Sequence, residues 1–283
     1  MRTGTWREWT ADDAARLLRA PAADDDKYRR GVLGVITGSP DFPGAAVLGV
    51  EAAHRTGVGM VRYLGPRDVR RAVLAARPET VGVAGRVQAW LVGSGMDPSN
   101  RSAALEEELD RALGGAMPAV IDAGALDLVE RATGPVVVTP HARELARLLS
   151  DRDLTCTPEE VAADPGGWAV RAAGALEATV LLKGAVTHVC APDGIRLTVT
   201  ATTHWLASAG TGDVLGGILG ALAATHHEAL ARDAGLLAPL AATAAFLHSA
   251  AARAASDAWH GGPVTALDVA QAVPSVVGRL LGR

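Results

Sequence analysis

Short runs of consecutive apolar residues alternate along the chain with longer stretches whose apolar positions recur at helical spacing. Gly31 to Thr37, Val58 to Leu64, Ala89 to Val92, Ala119 to Asp122, Pro135 to Val138 and Thr179 to Leu182 each read as a strand buried on both faces. Val81 to Val83 reads as a further short strand. Between them, Ala45 to Thr56, Val69 to Ala76, Ser102 to Leu113 and Glu144 to Leu149 read as helices, and Ala123-Gly124-Ala125 opens a short one. Thr10-Ala-Asp-Asp13 caps a first helix, Ala14 to Leu18, and Ala22 to Arg30 is polar and turn-like. Val186 to Cys190 and Arg196 to Thr200 flank Ala191-Pro-Asp-Gly194, a hairpin signal. The last third is helical: Val214 to Ala224, about 229–256 with a break near Gly235 or Pro239, and Ala266 to Leu281. Strands alternating with helices predict an α/β fold whose central, mostly parallel sheet is covered on both faces. No shift in composition divides the chain, so residues 1–283 read as one domain.

Composition narrows the class. Apolar residues make up 49% and charged residues 20%, which suits a globular chain rather than a disordered one. A net charge of −4 and the lack of a basic stripe argue against nucleic acid as a partner. Two cysteines, Cys156 and Cys190, give neither a disulfide framework nor a zinc spacing, as in a reducing cytosol, and Cys190 reads as buried and inert. The N-terminus lacks the apolar core of a signal peptide, and the most apolar stretch, roughly 214–224, is too short to span a bilayer. The expected location is cytoplasmic, with no membrane partner. Of 27 basic residues only Lys27 and Lys183 are lysines. A lysine kept in so Arg-rich a chain marks a place where a compact ammonium serves better than a guanidinium.

The candidate chemistry follows the strands. Gly38-Ser39, Gly93-Ser94-Gly95, Asp122, His141, Lys183-Gly184 and Asp213 all fall at strand ends or helix starts, and in an open α/β sheet that edge carries the ligand site. Asp213 closes a small-residue loop, Gly210-Thr211-Gly212, directly before an apolar helix. Such a helix start binds anions through its unpaired N–H groups. A carboxylate there has two readings: an N-cap, or a base that takes the proton of a hydroxyl attacking phosphorus. Neither G-x-x-x-x-G-K-[ST] nor G-x-G-x-x-G occurs, which disfavours a P-loop NTPase and an ordinary Rossmann dehydrogenase. His226-His227-Glu228 reads as a solvated helix end rather than a metal site, because adjacent helical residues point apart. The six tryptophans are scattered and read as packing the core or an interface.

These motifs resemble those of the ADP/ATP-dependent NAD(P)H-hydrate dehydratase family of the ribokinase-like superfamily. The matching residues are Gly38-Ser39…Pro43-Gly44-Ala45-Ala46, Arg55-Thr56-Gly57-Val58-Gly59, Gly93-Ser94-Gly95, Asp122-Ala-Gly-Ala-Leu126, Thr139-Pro140-His141…Glu144, Leu182-Lys183-Gly184…Thr187 and Ala209-Gly-Thr-Gly-Asp213. They run in the family's order over about residues 27–275. The Gly-Thr-Gly-Asp loop marks the superfamily; Thr-Pro-His…Glu and Lys-Gly-x-x-Thr separate this family from sugar kinases.

The resemblance implies a three-layer α/β/α ribokinase-like fold and repair of nicotinamide cofactors hydrated at C6. In that reaction ADP or ATP, with Mg²⁺, phosphorylates the ring hydroxyl of the S epimer, and phosphate then leaves to restore NADH or NADPH. Asp213 would be the catalytic base, its pKa lowered by the helix terminus. Backbone N–H groups of Gly210, Thr211, Gly212 and Asp213 would steady the transferred phosphoryl. Lys183, Gly184, Ala185, Val186, Thr187 and Gly212 would contact the nucleotide. Ala45, Gly95, His141 and Asp213 would line the substrate site, and Glu144 and Asp122 would organise Mg²⁺ through water. Read without the resemblance, Lys183 is a strand-end lysine, His141 a helix cap, Ala45 and Gly95 are packing residues, and Glu144 and Asp122 solvate element ends. Two departures bear on the site: Ala185-Val186 stands where relatives often carry Asn or another polar residue, and Gly124 where many carry a second acid. About 26 residues precede the first strand, too few for the epimerase domain fused in some relatives, so an NAD(P)H-hydrate epimerase is expected on a separate chain, and a homo-oligomer is expected. The rivals are a small-molecule alcohol kinase of the same fold, of hydroxymethylpyrimidine or thiazole type, and a non-catalytic nucleotide-binding protein.

Overall fold

The structure, a computed structural model, describes residues 5–150, 152 and 154–282. In chain order the elements are β1 (Arg7–Glu8), α1 (Ala11–Arg16), β2 (Val32–Ile36), α2 (Pro43–Thr56), β3 (Met60–Tyr63), α3 (Arg67–Ala76), β4 (Ala89–Val92), α4 (Ala103–Leu113), β5 (Ala119–Ile121), a 3₁₀ segment (Ala123–Arg131) and β6 (Val136–Val138). There follow α5 (Ala142–Ser150), α6 (Pro158–Ala163), α7 (Pro165–Leu176), β7 (Thr179–Leu182), β8 (Val186–Cys190), β9 (Arg196–Thr200), a 3₁₀ turn (His204–Leu206) and α8 (Thr211–Thr225). The chain ends in α9 (His227–Leu230), a 3₁₀ turn (Ala234–Leu236), α10 (Leu237–Asp257) and α11 (Ala266–Leu280).

Among the described residues the strands form one sheet in the order β1-β9-β8-β7-β6-β5-β4-β2-β3. Pairing is parallel except for β7–β8 and β8–β9. Alternate side chains along a strand point to opposite faces, and the buried apolar residues divide accordingly. Leu91, Val120, Val137 and Leu181 join the layer of α2, α8, α10 and α11. Val92, Ile121, Val138, Val180 and Leu182 join that of α4, α5, α6 and α7. This is the expected three-layer α/β/α arrangement.

The differences from the pattern reading are local. Val81 to Val83 forms no strand; Val81 makes a single bridge to Arg62 beyond the sheet edge. β1 had no signal of its own and exists because β9 offers it a partner. The helices α6 and α7 fill a stretch for which the hydrophobic pattern named no element. Thr157 and Glu160 form a capping box on α6, and Asp164 accepts from the Gly167 N–H at the start of α7. His226 is no solvated helix end: it is buried, and its Nδ1 lies 2.9 Å from the Leu222 carbonyl oxygen. The segment Ala234–Asp257 has the length and apolarity of a membrane-crossing helix, unlike 214–224, but it is two-thirds buried against the sheet and α8. Cys190 is buried, and its thiol is pushed up to about 11 by that burial. Of the tryptophans, Trp9 packs in the core, whereas Trp205 and Trp259 are exposed.

Candidate active site

The C-terminal ends of β2, β4, β5, β6 and β7 deliver Thr37-Gly38, Gly93-Ser94, Asp122, Thr139 and Lys183 to one edge. The N-terminus of α8 faces that edge. Gly210 is its N-cap at φ 86°, a left-handed conformation open to glycine. A Cβ there would also stand 2.5 Å from Leu48 Cδ1. Thr211 Oγ1 donates to the carbonyl oxygens of Leu206 and Ser208 at 2.8 and 2.9 Å, which ties the loop to the turn before it. Among the described residues the N–H groups of Gly212 and Asp213 have no backbone partner. Two open donors and a carboxylate therefore share one turn.

Lys183 reaches this turn from β7. Its Nζ lies 3.0 Å from Asp122 Oδ1 and 3.5 Å from Glu144 Oε2. A Cβ on Gly212 would stand 3.7 Å from the same Nζ. Burial disfavours the ammonium, but Asp122 and Glu144 outweigh it and raise the lysine's pKa, so Lys183 stays charged. Asp122 is 3% exposed and accepts from Thr139 Oγ1 at 2.7 Å and Ser94 Oγ at 2.9 Å as well as from Lys183. Burial pushes its pKa up, yet Lys183 and these hydrogen bonds hold it below the ordinary carboxylate value.

Asp213 behaves in the opposite way to the expectation from its helix terminus. Its pKa is pushed up to about 6, first by burial and then by the nearby Asp122 charge, against the pull of Lys183 and Ser94. Removal from water outweighs the helix dipole here. The result is a carboxylate basic enough to hold a proton near neutrality.

A cavity of about 530 Å³ opens beside Lys183 and Gly212. Lys183, Gly184, Ala185 and Thr187 line one wall, with Thr211 and Gly212 at its end. Val186 does not line it and is 37% exposed, because alternate residues of β8 face away. His141 also lines the cavity while capping α5: its N–H donates to Glu144 Oε2 at 2.8 Å, and its Nδ1 accepts from the Glu144 N–H at 3.2 Å. Ala45 and Gly95 lie outside this cavity and against each other. A Cβ on Gly95, at φ 69°, would stand 2.6 Å from Ala45 Cβ and 3.1 Å from Gly38 Cα.

Asp122 and Glu144, the pair expected to organise Mg²⁺ through water, both come to Lys183 Nζ, at 3.0 and 3.5 Å. Asp122 accepts from three protein donors through its two oxygens. Among the described residues no three of His, Cys, Asp and Glu converge on a metal position. Sequence reasoning missed the far wall of the cavity, which includes Val199, Leu206, Leu215, Ala245 and His248. His248 is 8% exposed and its pKa is lowered to about 4, first by burial. A lone histidine inside an alanine-rich helical run was the only signal for it.

The model of the NAD(P)H-hydrate dehydratase family matches residues 33–275. The bifunctional NAD(P)H-hydrate repair enzyme Nnr of Mycobacterium tuberculosis is 42% identical over 231 residues, 76% of this chain and 45% of that protein. The chain thus spans about half the length of such Nnr relatives. The ADP-dependent (S)-NAD(P)H-hydrate dehydratase of Neisseria meningitidis serogroup B is 36% identical over 231 residues, 74% of either chain. The Bacillus subtilis ADP/ATP-dependent NAD(P)H-hydrate dehydratase, co-crystallised with ATP and Mg²⁺, superposes with a TM-score of 0.83 at 26% identity, covering 97% of this chain and 99% of that one.

Proposed function

The chain belongs to the NAD(P)H-hydrate dehydratase family, and on that premise we propose that it uses ADP or ATP to return the S epimer of NAD(P)H hydrate to NAD(P)H, releasing AMP or ADP and phosphate. The first turn of α8 carries this reading: a half-buried carboxylate of raised proton affinity stands beside two open N–H donors and a charged lysine. The substrate hydroxyl gives its proton to Asp213 as its oxygen bonds to the terminal phosphorus of the nucleotide and the bridging P–O bond breaks. The N–H groups of Gly212 and Asp213, with Lys183, hold the phosphoryl oxygens as charge shifts onto them. The C6–O bond then breaks as the ring nitrogen's electron pair moves in, phosphate departs, and loss of a proton from the adjacent carbon restores the dihydropyridine.

The cavity supports an adenine nucleotide with its phosphates toward Lys183 and Gly212 and its base against Val199, Leu206, Leu215 and Ala245. Gly184, Ala185 and Thr187 would contact it directly, and Val186 through its backbone alone. Ala45, Gly95 and His141 would face the hydrated ring. Bound with the nucleotide, Mg²⁺ would neutralise phosphate charge. The donors fit an ion that keeps phosphate and water ligands, with Glu144 receiving one such water. The working unit would be a homo-oligomer in the cytoplasm, with an NAD(P)H-hydrate epimerase supplying the S epimer.

The test adds protein, Mg²⁺ and ADP, then ATP, to hydrated NADH and NADPH and follows the near-ultraviolet absorbance of the reduced nicotinamide. The expected outcome is a rise that falls by at least ~10²-fold in Asp213→Asn. Nucleotide binding without a rise, or a stable phosphorylated alcohol, would overturn the reading.

A further inference from the structure

Among the described residues, the buried polar side chains that line the cavity are Thr211, His248 and Ser249, at 6%, 8% and 4% exposure. Two of them are engaged within the protein. Thr211 Oγ1 is held by the Leu206 and Ser208 carbonyl oxygens. Ser249 Oγ accepts from the Thr202 N–H at 2.8 Å and lies 3.0 Å from Thr202 Oγ1, which ties the segment after β9 to α10. His248 differs: its Nε2 is buried with no hydrogen-bond partner. A buried nitrogen without a partner weakens a fold, so a ring held in this state calls for a reason. Packing alone would be met by leucine, which fills a similar space with no polar atom.

The place of the ring limits what it can meet. On α10 it lies one turn from Ala245, against which the base rests in the proposed pose. The cavity ends at Thr211 and Gly212, where that pose puts the phosphates. In a nucleotide the ribose joins base to phosphates. Burial keeps the imidazole neutral at pH 7, with a pKa of about 4, so it offers one N–H and one lone pair. A ribose hydroxyl both donates and accepts, and it matches the ring whichever nitrogen carries the proton. The edge of the base has fixed donors and acceptors and lacks that freedom.

We infer that His248 determines nucleotide specificity by turning its ring about the Cβ–Cγ bond and giving Nε2 to a ribose hydroxyl of the bound nucleotide. That torsion is broad in histidine, and the cavity beside the ring leaves room for the turn. No covalent bond changes. The contact favours ribonucleotides over their deoxy counterparts and does not depend on the number of phosphates. That the ligand is an adenine nucleotide rests on the proposed function; the unmatched nitrogen at the cavity wall does not.

The deciding experiment is calorimetric titration, with Mg²⁺, of ADP and its 2′-deoxy and 3′-deoxy analogues into the wild type, His248→Leu and His248→Phe. Both variants keep bulk at the wall and remove the ring nitrogens. The wild type should bind one of the analogues about tenfold more weakly than ADP. In each variant that ratio should shrink to about twofold or less, because the hydroxyl has lost its partner. A residue that only packed the wall would weaken all three ligands alike and leave the ratio unchanged. Equal binding of the three ligands by the wild type overturns the inference, as does a ratio that survives in a folded variant. If neither variant folds, ¹⁵N NMR of the wild-type imidazole decides: Nε2 should shift with saturating ADP and not with the weaker analogue. No binding of ADP or ATP overturns the nucleotide reading and the inference together, whereas binding without discrimination overturns the inference alone. The titration needs no hydrated cofactor, so failure of the dehydration leaves it readable.

Discussion

Asp213 concentrates the conflict between folding and chemistry in one side chain. Its folded pKa of about 6 lies above the ordinary 3.8. Sign and window follow from linkage: below about pH 4 the carboxyl is protonated folded or unfolded, and no cost arises. As pH rises through 4 to 6 the unfolded chain ionises first and stability is lost; above 6 the full cost remains. At about 1.4 kcal/mol per pH unit the cost reaches up to about 3 kcal/mol. Asp213→Asn should therefore be more stable than wild type at pH 8 by up to about 3 kcal/mol and equal to it near pH 4, as urea unfolding at the two pH values would show. Wild-type turnover should climb through about pH 6 as the base ionises. At this scale the sequence exposed Asp213 and Lys183, because a carboxylate ending a glycine loop and a rare lysine at a strand end are local signals. It misjudged the Asp213 pKa and did not reveal the partners of Asp122, because both depend on neighbours far away in the chain: Asp122 is 61 residues from Lys183 and 28 from Ser94.

The helix that carries Asp213 is placed by its packing on α2. A Cβ on Gly217 would stand 2.2 Å from the Gly49 carbonyl oxygen and 2.9 Å from Ala52 Cβ. Gly217→Ala must separate the two helices, which should cost about 2 kcal/mol and shift the catalytic turn, lowering turnover as well as the denaturation midpoint. Gly174, inside α7, has nothing within 4 Å of its would-be Cβ. Gly174→Ala should instead stabilise by about 0.5–1 kcal/mol with turnover unchanged, since alanine loses less conformational freedom in a helix. The contrast separates a glycine needed for contact from one that merely tolerates its place. The apolar pattern of the sequence exposed α2 and α8 as helices. It gave no hint that glycines would form the contact between them.

Across the whole molecule, the sheet edge and α8 form a site that a nucleotide can brace by bridging Lys183, the Gly212 turn and the α10 wall. Nucleotide at a hundred times its Kd should add about 2.7 kcal/mol and raise Tm by about 5 °C, with a smaller rise in Lys183→Met, as calorimetry would measure. By itself the sequence determined the alternation of strand and helix, the three-layer fold and the motifs at the strand ends, because periodicity and turn chemistry are written in neighbouring residues. Only the tertiary structure decided that β1 pairs with β9, that Val81 to Val83 does not become a strand, and that α10 supplies a wall of the cavity. It also decided that Asp122 anchors a lysine, and that Asp213 is a stronger base than its helix terminus implies. A side chain's partners and its distance from water are set by elements that meet across the whole fold, and no window of sequence contains them.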